Sequence, residues 1–156
     1  QDAKAINIIN ILCWKKNYKD LIASKFLSLL SVSKTSIQHF EEDIQKKELY
    51  LVAEEQGKIL GYLGASRIKD KASPYSFEIN YLYVHPKHQG KGIGSLLWKA
   101  FQKNANKSPF YLYMIKGNLQ AQKFYLKKGG IHQKELDKTK VARGISLEEE
   151  FFSFKF

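Results

Sequence analysis

The sequence predicts one mixed α/β domain, and three observations point to it. The chain has 156 residues, a length typical of a single domain, and 44% of them are hydrophobic, which is enough to form a core. The spacing of the apolar residues changes from a helical to a strand-like pattern near residue 49. Between Phe77 and Ile115, a predicted strand, helix and strand follow one another in the order of a parallel unit.

The predicted helices and strands follow from apolar periodicity and from residues that begin or end elements. Asp2 and Ser33 are predicted to cap helices, and Gly129-Gly130 is predicted to stop the last one. The predicted helical segments are 3–16, 25–30, 33–47, 95–104 and 119–128. The predicted strands are 49–54, 59–67, 77–84, 110–115, 131–136 and 150–156.

Positive charge is concentrated in one part of the chain. The formal net charge is +11, and the stretch from Ile79 to Lys134 contains ten lysines and no Asp or Glu. Such a block predicts an anionic partner, which could be the phosphates of a small cofactor, a nucleic acid or an anionic membrane surface. The same lysines could also be the solvated faces of two helices, and charge alone leaves these alternatives open.

Several classes of protein do not fit the sequence. The apolar stretches are shorter than the roughly 20 residues of a membrane-spanning helix, and no cleavage site of a secretory signal follows the first apolar segment. Cys13 is the only cysteine, so neither an internal disulfide nor a zinc framework is predicted. We therefore expect a cytoplasmic protein with no metal and no membrane partner.

A glycine-rich loop, residues 89–95 (Gln-Gly-Lys-Gly-Ile-Gly-Ser), lies between a predicted strand and a predicted helix. Backbone N–H groups of such a loop and the positive end of the helix favour a bound phosphate. A Walker loop is excluded because neither the glycine spacing nor the residue after Lys91 fits. A dinucleotide fingerprint is excluded because its last glycine would fall on Ser95 or Leu97.

The remaining pattern, Gln89-x-x-Gly92-x-Gly94, resembles the acetyl-coenzyme A binding motif of the GCN5-related N-acetyltransferase (GNAT) superfamily. The surrounding sequence extends the resemblance over most of the chain. The other residues that match the family pattern are the run from Leu82 to Pro86, Asn118, Ala121, Phe124, Tyr125, Trp14 and Tyr18.

Two departures accompany this resemblance. No strand precedes the first predicted helix, which suggests a trimmed or truncated N-terminus, and Gly130 stands where an aromatic residue commonly occurs, which affects local packing only. The resemblance implies a GNAT fold with a central, mostly antiparallel twisted sheet, one parallel unit, splayed strands and flanking helices.

The resemblance also implies a cofactor site for acetyl-CoA as co-substrate. The loop would hold the pyrophosphate, and backbone groups at Leu82 and Val84 would pair with the pantetheine arm and polarise the thioester. The residues implied to bind the cofactor are Leu82, Tyr83, Val84, Gln89, Gly90, Lys91, Gly92, Ile93, Gly94, Ser95, Asn118 and Tyr125.

Two residues are candidates for proton transfer. The Tyr125 hydroxyl could protonate the departing thiolate as a general acid, although Phe124 and Tyr125 could also be core aromatics. Glu78 is the candidate base because it is the only acid near the central strand in the predicted arrangement. Its family counterparts usually act through water, which Asn80 could help to order. A solvent-facing glutamate would look the same.

The resemblance implies an N-acetyltransferase whose acceptor amine attacks directly in a ternary complex. Acidic residues in the half expected to border the acceptor favour a small cationic amine such as a polyamine or aminoglycoside, while a protein N-terminus or lysine stays open. These acids are Glu41, Glu42, Asp43, Glu54 and Glu55. Family members are often dimers, so a homodimer is compatible.

Two other functions remain as alternatives. A basic nucleic-acid binding module would explain the lysines without catalysis, but the only arginines, Arg67 and Arg143, lie outside the lysine block, so no nucleic-acid partner is expected. A GNAT-fold regulator that binds acyl-CoA without turnover is the third possibility.

Overall fold

The structure, a computed structural model, describes residues 2–46, 49–142 and 145–155. In these ranges five α-helices occur: α1 (Asp2–Asn17), α2 (Ser24–Leu29), α3 (Lys34–Lys46), α4 (Ile93–Asn104) and α5 (Leu119–Lys127). The strands are β1 (Leu49–Glu55), β2 (Lys58–Arg67), β3 (Phe77–Val84), β4 (Phe110–Ile115), β5 (Ile131–His132), β6 (Lys138–Ala142) and β7 (Ile145–Phe154). Short 3₁₀ turns occupy Pro86–His88 and Lys134–Leu136.

One twisted sheet contains all seven described strands. Its order is β1-β2-β3-β4-β7-β5, and β6 pairs with β7 outside this path. Every pair is antiparallel except β3 with β4, which are parallel and are joined by α4. The predicted mixed α/β class with one parallel unit is therefore confirmed.

Two apolar layers cover the two faces of the sheet. On one face, α4 and α5 pack over a core centred on Trp98, Phe101 and Phe110. On the other face, α1 and α3 pack over a second core that contains Ile6, Phe40 and the buried ring of Tyr62.

The C-terminal part of the sheet differs from the prediction. The predicted strand 131–136 is a two-residue strand followed by a 3₁₀ turn, β7 begins five residues earlier than residue 150, and β6 was not predicted. Segment 138–142 lacks the apolar alternation of a half-buried strand because it lies at an edge. Across the ladder, Lys138 pairs with Glu149 and Thr139 pairs with Glu148, while Lys140 pairs with Leu147.

The helix after the glycine loop begins earlier than predicted, at Ile93 instead of Ser95. Ile93 packs against the main core, and this contact draws the first turn into the helix despite Gly94. The predicted cap Ser33 accepts a hydrogen bond from Ser36 N–H at 3.1 Å and precedes α3 as expected. The predicted ends at Lys47 and Phe156 lie outside the described residues.

Candidate active site

The parallel strands β3 and β4 stay together for only three residues. They pair from Phe77 with Phe110 to Ile79 with Leu112, and no pair beyond these occurs among the described residues. Both strands continue past this point, to Val84 and Ile115 respectively. A wedge therefore opens between them toward their C-terminal ends.

A β-bulge in β3 lies at the point where this wedge begins. Gly64 of β2 pairs with Tyr81 and Ala65 pairs with Ile79, so Asn80 is one extra residue on β3. Its Oδ1 accepts a hydrogen bond from Ser66 Oγ at 2.9 Å. Because of the extra residue, Ile79 and Leu82 both face the α4 layer although they are three positions apart.

The backbone of β3 directs hydrogen-bonding groups into the wedge. On the β2 side, His85 N–H donates to Leu60 O at 2.8 Å. In an antiparallel ladder such pairs alternate with pairs whose N–H and C=O groups point away from the partner strand. Val84 and Leu82, one and three residues before His85 in an unbroken register, therefore point these groups toward the wedge.

The carbonyl group of Val84 is already saturated. Cys13 Sγ–H from α1 and Gln89 Nε2–H both donate to it at 3.1 Å, and Gln89 Oε1 accepts from Lys16 Nζ at 2.7 Å. Burial raises the pKa of Cys13 to about 12, which keeps this thiol a proton donor. Val84 can therefore offer its N–H but not its C=O to a ligand, whereas Gln89 ties the loop to β3 and α1.

The glycine loop has the backbone geometry of an anion cradle. Gly90 and Gly92 have φ of +78° and +84°, the left-handed region that favours glycine, and a Cβ on either would meet nothing within 4 Å. Gly92 is the N-cap of α4, and no side chain caps this end. The N–H groups of residues 92–95 consequently have no acceptor within the helix, and open space lies over the loop.

A lysine side chain reaches the same helix end. Lys128, just after α5, donates from Nζ to Ser95 Oγ at 3.0 Å and lies 5.3 Å from the centre of the Phe124 ring. A cation at a helix N-terminus is electrostatically unfavourable unless an anion joins it, because that end carries about half a positive charge. Lys128 and the α4 amides thus converge on one position suited to a phosphate.

Helix α5 contributes the two other predicted residues. Asn118 is its N-cap, and Asn118 Oδ1 accepts from Ala121 N–H at 3.1 Å. The same side chain hydrogen bonds with the hydroxyl of Tyr18, which also bonds with Tyr83. Tyr125, two turns into the helix, is buried against Trp98 and Phe152.

The environment of Tyr125 keeps its hydroxyl protonated. Burial, and to a smaller degree the neighbouring Tyr18, raises the pKa of Tyr125 above its ordinary value. A phenol of this kind can donate a proton at neutral pH. The Tyr125 ring belongs to the core under α4 and α5, and it also lines the large cavity in the wedge.

A cavity of about 990 Å³ occupies the wedge. The glycine loop and α5 form one end, β3 and β4 the middle, and α1, α2 and the start of α3 the other end. Lys91 and Glu78 do not line it. The predicted residues that do are Leu82, Tyr83, Val84, Gln89, Gly90, Gly92, Ile93, Gly94, Ser95, Asn118 and Tyr125.

Glu78 lies in a smaller adjoining cavity of about 260 Å³. Its Oε2 accepts a hydrogen bond from Tyr111 Oη at 3.1 Å. The interpretation of Glu78 as the only acid near the central strand was wrong, because Glu149 of β7 lines both cavities. The predicted strand 150–156 excluded this residue, although its alternation with Leu147 and Phe151 could have placed it on the same face.

The end of the cavity opposite the loop is polar but carries little charge. Asn7, Asn10, Ser36 and His39 line it together with aromatic rings. The five acids expected to border the acceptor, at positions 41, 42, 43, 54 and 55, do not line the cavity. That expectation was wrong, because the helical and strand periodicities turn these side chains to other surfaces.

The described residues contain neither a metal-binding cluster nor a membrane-spanning helix. They hold no group of three or more His, Cys, Asp and Glu side chains suited to a metal ion. No helix within them has both the length and the apolar character that spanning a bilayer requires.

Two solved structures share this architecture. A GCN5-related N-acetyltransferase (aminotransferase, class-II) from Rhodopseudomonas palustris superposes with a TM-score of 0.77 at 20% identity, covering 99% of this chain and 90% of the other. The PaiA N-acetyltransferase from Thermoplasma acidophilum, in complex with coenzyme A, has a TM-score of 0.69 at 20% identity and coverages of 96% and 91%. These likenesses confirm the predicted fold.

Sequence comparison gives the family. The chain is 32% identical over 76 residues to the N-alpha-acetyltransferase RimI of Mycobacterium tuberculosis (strain ATCC 25618 / H37Rv), a match over 49% of this chain and about half (48%) of that protein's length. The model of the Acetyltransferase (GNAT) family matches residues 14–130, well over half of the chain. The wedge, the glycine loop and this match agree, and the chain belongs to the acetyltransferase (GNAT) family.

Proposed function

We propose that this protein transfers the acetyl group of acetyl-CoA to a primary amine by direct attack in a ternary complex. The observation that carries this proposal is the continuous cavity from the glycine loop, through the wedge, to the face under α1 and α3. One end suits phosphates and the other end is open to a second substrate, so both reactants could meet at the strand ends. The coenzyme A complex of the PaiA neighbour supports the choice of cofactor.

Residues of the loop would bind the cofactor's diphosphate. The N–H groups of residues 92–95 and the ammonium group of Lys128 are the donors. Lys91 does not line the cavity, but it lies between two glycines that do and would add positive charge beside them. The N–H groups of Leu82 and Val84 would polarise the thioester carbonyl in the wedge. Asn118, fixed by its N-cap hydrogen bond, would contact the pantetheine side.

Proton transfer would involve two residues of this chain. Tyr125 would give its hydroxyl proton to the sulfur when the carbon–sulfur bond breaks. Its raised pKa keeps the hydroxyl protonated at neutral pH until that step. Glu78 would receive the proton lost by the amine nitrogen through water, since it borders the smaller cavity and not the main one.

We propose an acceptor with a single ammonium group, such as the α-amino group of a peptide. Among the described residues that line the main cavity, Glu149 is the only carboxylate, so little in the wall would hold the second and third charges of a polyamine. The name of the relative, an N-alpha-acetyltransferase, supports the same choice. The acids at positions 41, 42, 43, 54 and 55, which would favour a polyamine, do not line this cavity.

Thiol release from acetyl-CoA tests both the reaction and the acceptor. The panel would contain a peptide with a free N-terminus, the same peptide with a blocked N-terminus and one lysine, spermidine and an aminoglycoside. We expect kcat/KM to be highest for the free peptide and at least tenfold lower for its blocked partner. Faster release with spermidine would overturn the acceptor, and binding of acetyl-CoA without release for any amine would overturn the transferase.

A further inference from the structure

We infer that Glu149 is the carboxylate that meets the acceptor amine: it binds the ammonium group and accepts its proton before the nitrogen attacks. The inference rests on the proposed acetyl transfer and adds the residue that recognises the second substrate. Glu78 then lies one step farther along the path by which the proton leaves.

Glu149 stands at the correct place along the sheet. It pairs with Ile115, the last residue of β4, on the strand next to the wedge. The contact between β3 and β4 ended at Leu112, so Glu149 lies beside the open part of the wedge. Its side chain lines both the main cavity and the smaller one that contains Glu78.

The carboxylate is buried and incompletely bonded. Its side chain is only 11% exposed, and Oε2 is buried with no hydrogen-bond partner within the described part of the chain. Lys138 Nζ is 3.8 Å away and lies 3.3 Å from the centre of the Tyr113 ring, which holds it beside Glu149 without a hydrogen bond. A buried carboxylate oxygen without a donor is costly, and an ammonium ligand would satisfy it.

Other buried oxygens of this kind do not share the location. Tyr50 Oη and Glu150 Oε2 are also buried without a hydrogen-bond partner in the described residues, but neither residue lines a cavity. Glu150 follows Glu149 directly on β7 and therefore points to the opposite face of the sheet. Within this set, Glu149 alone is a residue that lines a cavity in which a substrate fits.

Charged and titratable groups from every neighbouring element surround Glu149. They are Tyr18, just after α1, Glu78 and Tyr81 of β3, Tyr113 of β4, and Lys138 and Lys140 of β6. Lys138 and Lys140 place positive charge beside this carboxylate, and Glu78 places negative charge near it. The hydroxyls remain neutral, because burial foremost raises the pKa of Tyr18, Tyr81 and Tyr113 above the ordinary tyrosine value.

The proposed step is a proton transfer followed by bond exchange. The ammonium group gives one proton to the Glu149 carboxylate and becomes a neutral amine. The amine nitrogen then forms a bond to the thioester carbon, the carbon–sulfur bond breaks, and the sulfur takes the proton of Tyr125. The nitrogen loses a second proton, which restores Tyr125 through solvent, and Glu149 releases the first proton by way of the smaller cavity.

The variant Glu149→Gln tests the inference, with Glu148→Gln as the matched control. Glu148 is the preceding residue, is exposed and pairs with Lys116 at 2.6 Å outside the cavity. At pH 7 we expect Glu149→Gln to lower kcat/KM for the peptide amine by about 100-fold or more, with KM for acetyl-CoA within twofold. The defect should shrink as the pH passes the amine pKa of about 8, where the substrate is already neutral.

The outcomes separate this inference from the proposed transfer. Wild-type kcat/KM in Glu149→Gln across the pH range, or a loss that is equal at every pH, would overturn the role of Glu149 while the transfer stands. If Glu149→Gln does not fold, Glu149→Asp decides: retention of the pH profile with reduced kcat supports the role, and unchanged kcat overturns it. A wild-type protein that releases no thiol with any amine overturns both.

Discussion

At the scale of single residues, the Tyr125 hydroxyl gives a direct test of the proton donor. We expect Tyr125→Phe to lower kcat by about 10²–10⁴-fold while KM for acetyl-CoA stays within a fewfold, because the ring and its packing remain. As its pKa lies above the ordinary value of 10.0, wild-type kcat should not fall through ionisation of Tyr125 below pH 10. Steady-state kinetics of the wild type and of Tyr125→Phe, measured as a function of pH, tests both expectations.

The matched control for this variant is Tyr75→Phe. Tyr75 carries a hydroxyl that accepts from Gln133 at 3.3 Å, and it does not line the main cavity. The kcat of Tyr75→Phe should equal that of the wild type. Equal turnover in Tyr125→Phe and Tyr75→Phe would remove Tyr125 as the acid.

Residues whose role depends on backbone conformation were predictable, whereas those that depend on tertiary placement were not. Glycine at 90 and 92 marks left-handed φ values directly in the sequence, and the structure has them there. Glu149 is different, because only the pairing of β7 with β4 brings it to the wedge. An acid in a strand has no local signal that distinguishes a solvent-facing side chain from one turned into a cavity.

At the scale of elements, the turn after α5 depends on an unusual close contact. A Cβ on Gly130 would lie 2.8 Å from the Phe154 ring and 2.9 Å from Tyr125 O. The Phe154 ring stacks on Phe110 at 4.7 Å between centroids and so fills the volume beside Gly130. The glycine found where the family commonly has an aromatic residue is thus explained by the ring that β7 supplies.

We expect Gly130→Ala to destabilise the fold by about 1–3 kcal/mol, because the methyl group must displace a packed ring and a backbone oxygen. Gly129→Ala is the control, since Gly129 has φ of +82° but open space around its Cβ, and should cost only about 1 kcal/mol of strain. Urea unfolding of both variants measures the difference. A smaller loss for Gly130→Ala than for Gly129→Ala would contradict the packing argument.

Elements with strong apolar periodicity were predicted to within about two residues, and the exceptions have a physical cause. The boundaries of β3 and β4 matched because alternation and flanking prolines or glycines define them. Strand β6 has lysines in place of apolar residues, since its stability comes from pairing with β7 and not from a buried face. Local sequence does not encode that partner.

At the scale of the whole molecule, the net charge of +11 predicts attraction to anionic ligands but does not say which one binds. The lysine block includes Lys128 at the cradle, but many of its other lysines lie on exposed surface. Charge alone would attract any polyanion, whereas under the proposed function the shape of the loop would select a compact diphosphate. Thermal unfolding with two anionic ligands therefore distinguishes a specific site from general attraction.

We expect acetyl-CoA at about 100 times its Kd to raise Tm by roughly 5–10 °C. A single-stranded oligonucleotide at the same phosphate concentration and 150 mM salt should leave Tm unchanged, because the block from Ile79 to Lys134 contains no arginine, the residue that most often contacts bases. Differential scanning calorimetry provides the measurement. A larger shift with the oligonucleotide would favour a nucleic-acid binding protein.

The extra residue in β3 makes the length of this strand as important as its composition. With Asn80 present, Tyr81 and Tyr83 face the α1 layer while Leu82 and Val84 face the α4 layer. Loss of one residue there would exchange these two sets, bury tyrosine hydroxyls among Leu97 and Trp98, and turn the amides of the strand end back toward β2. Relatives that keep the wedge should therefore tolerate many substitutions in this stretch but neither insertions nor deletions.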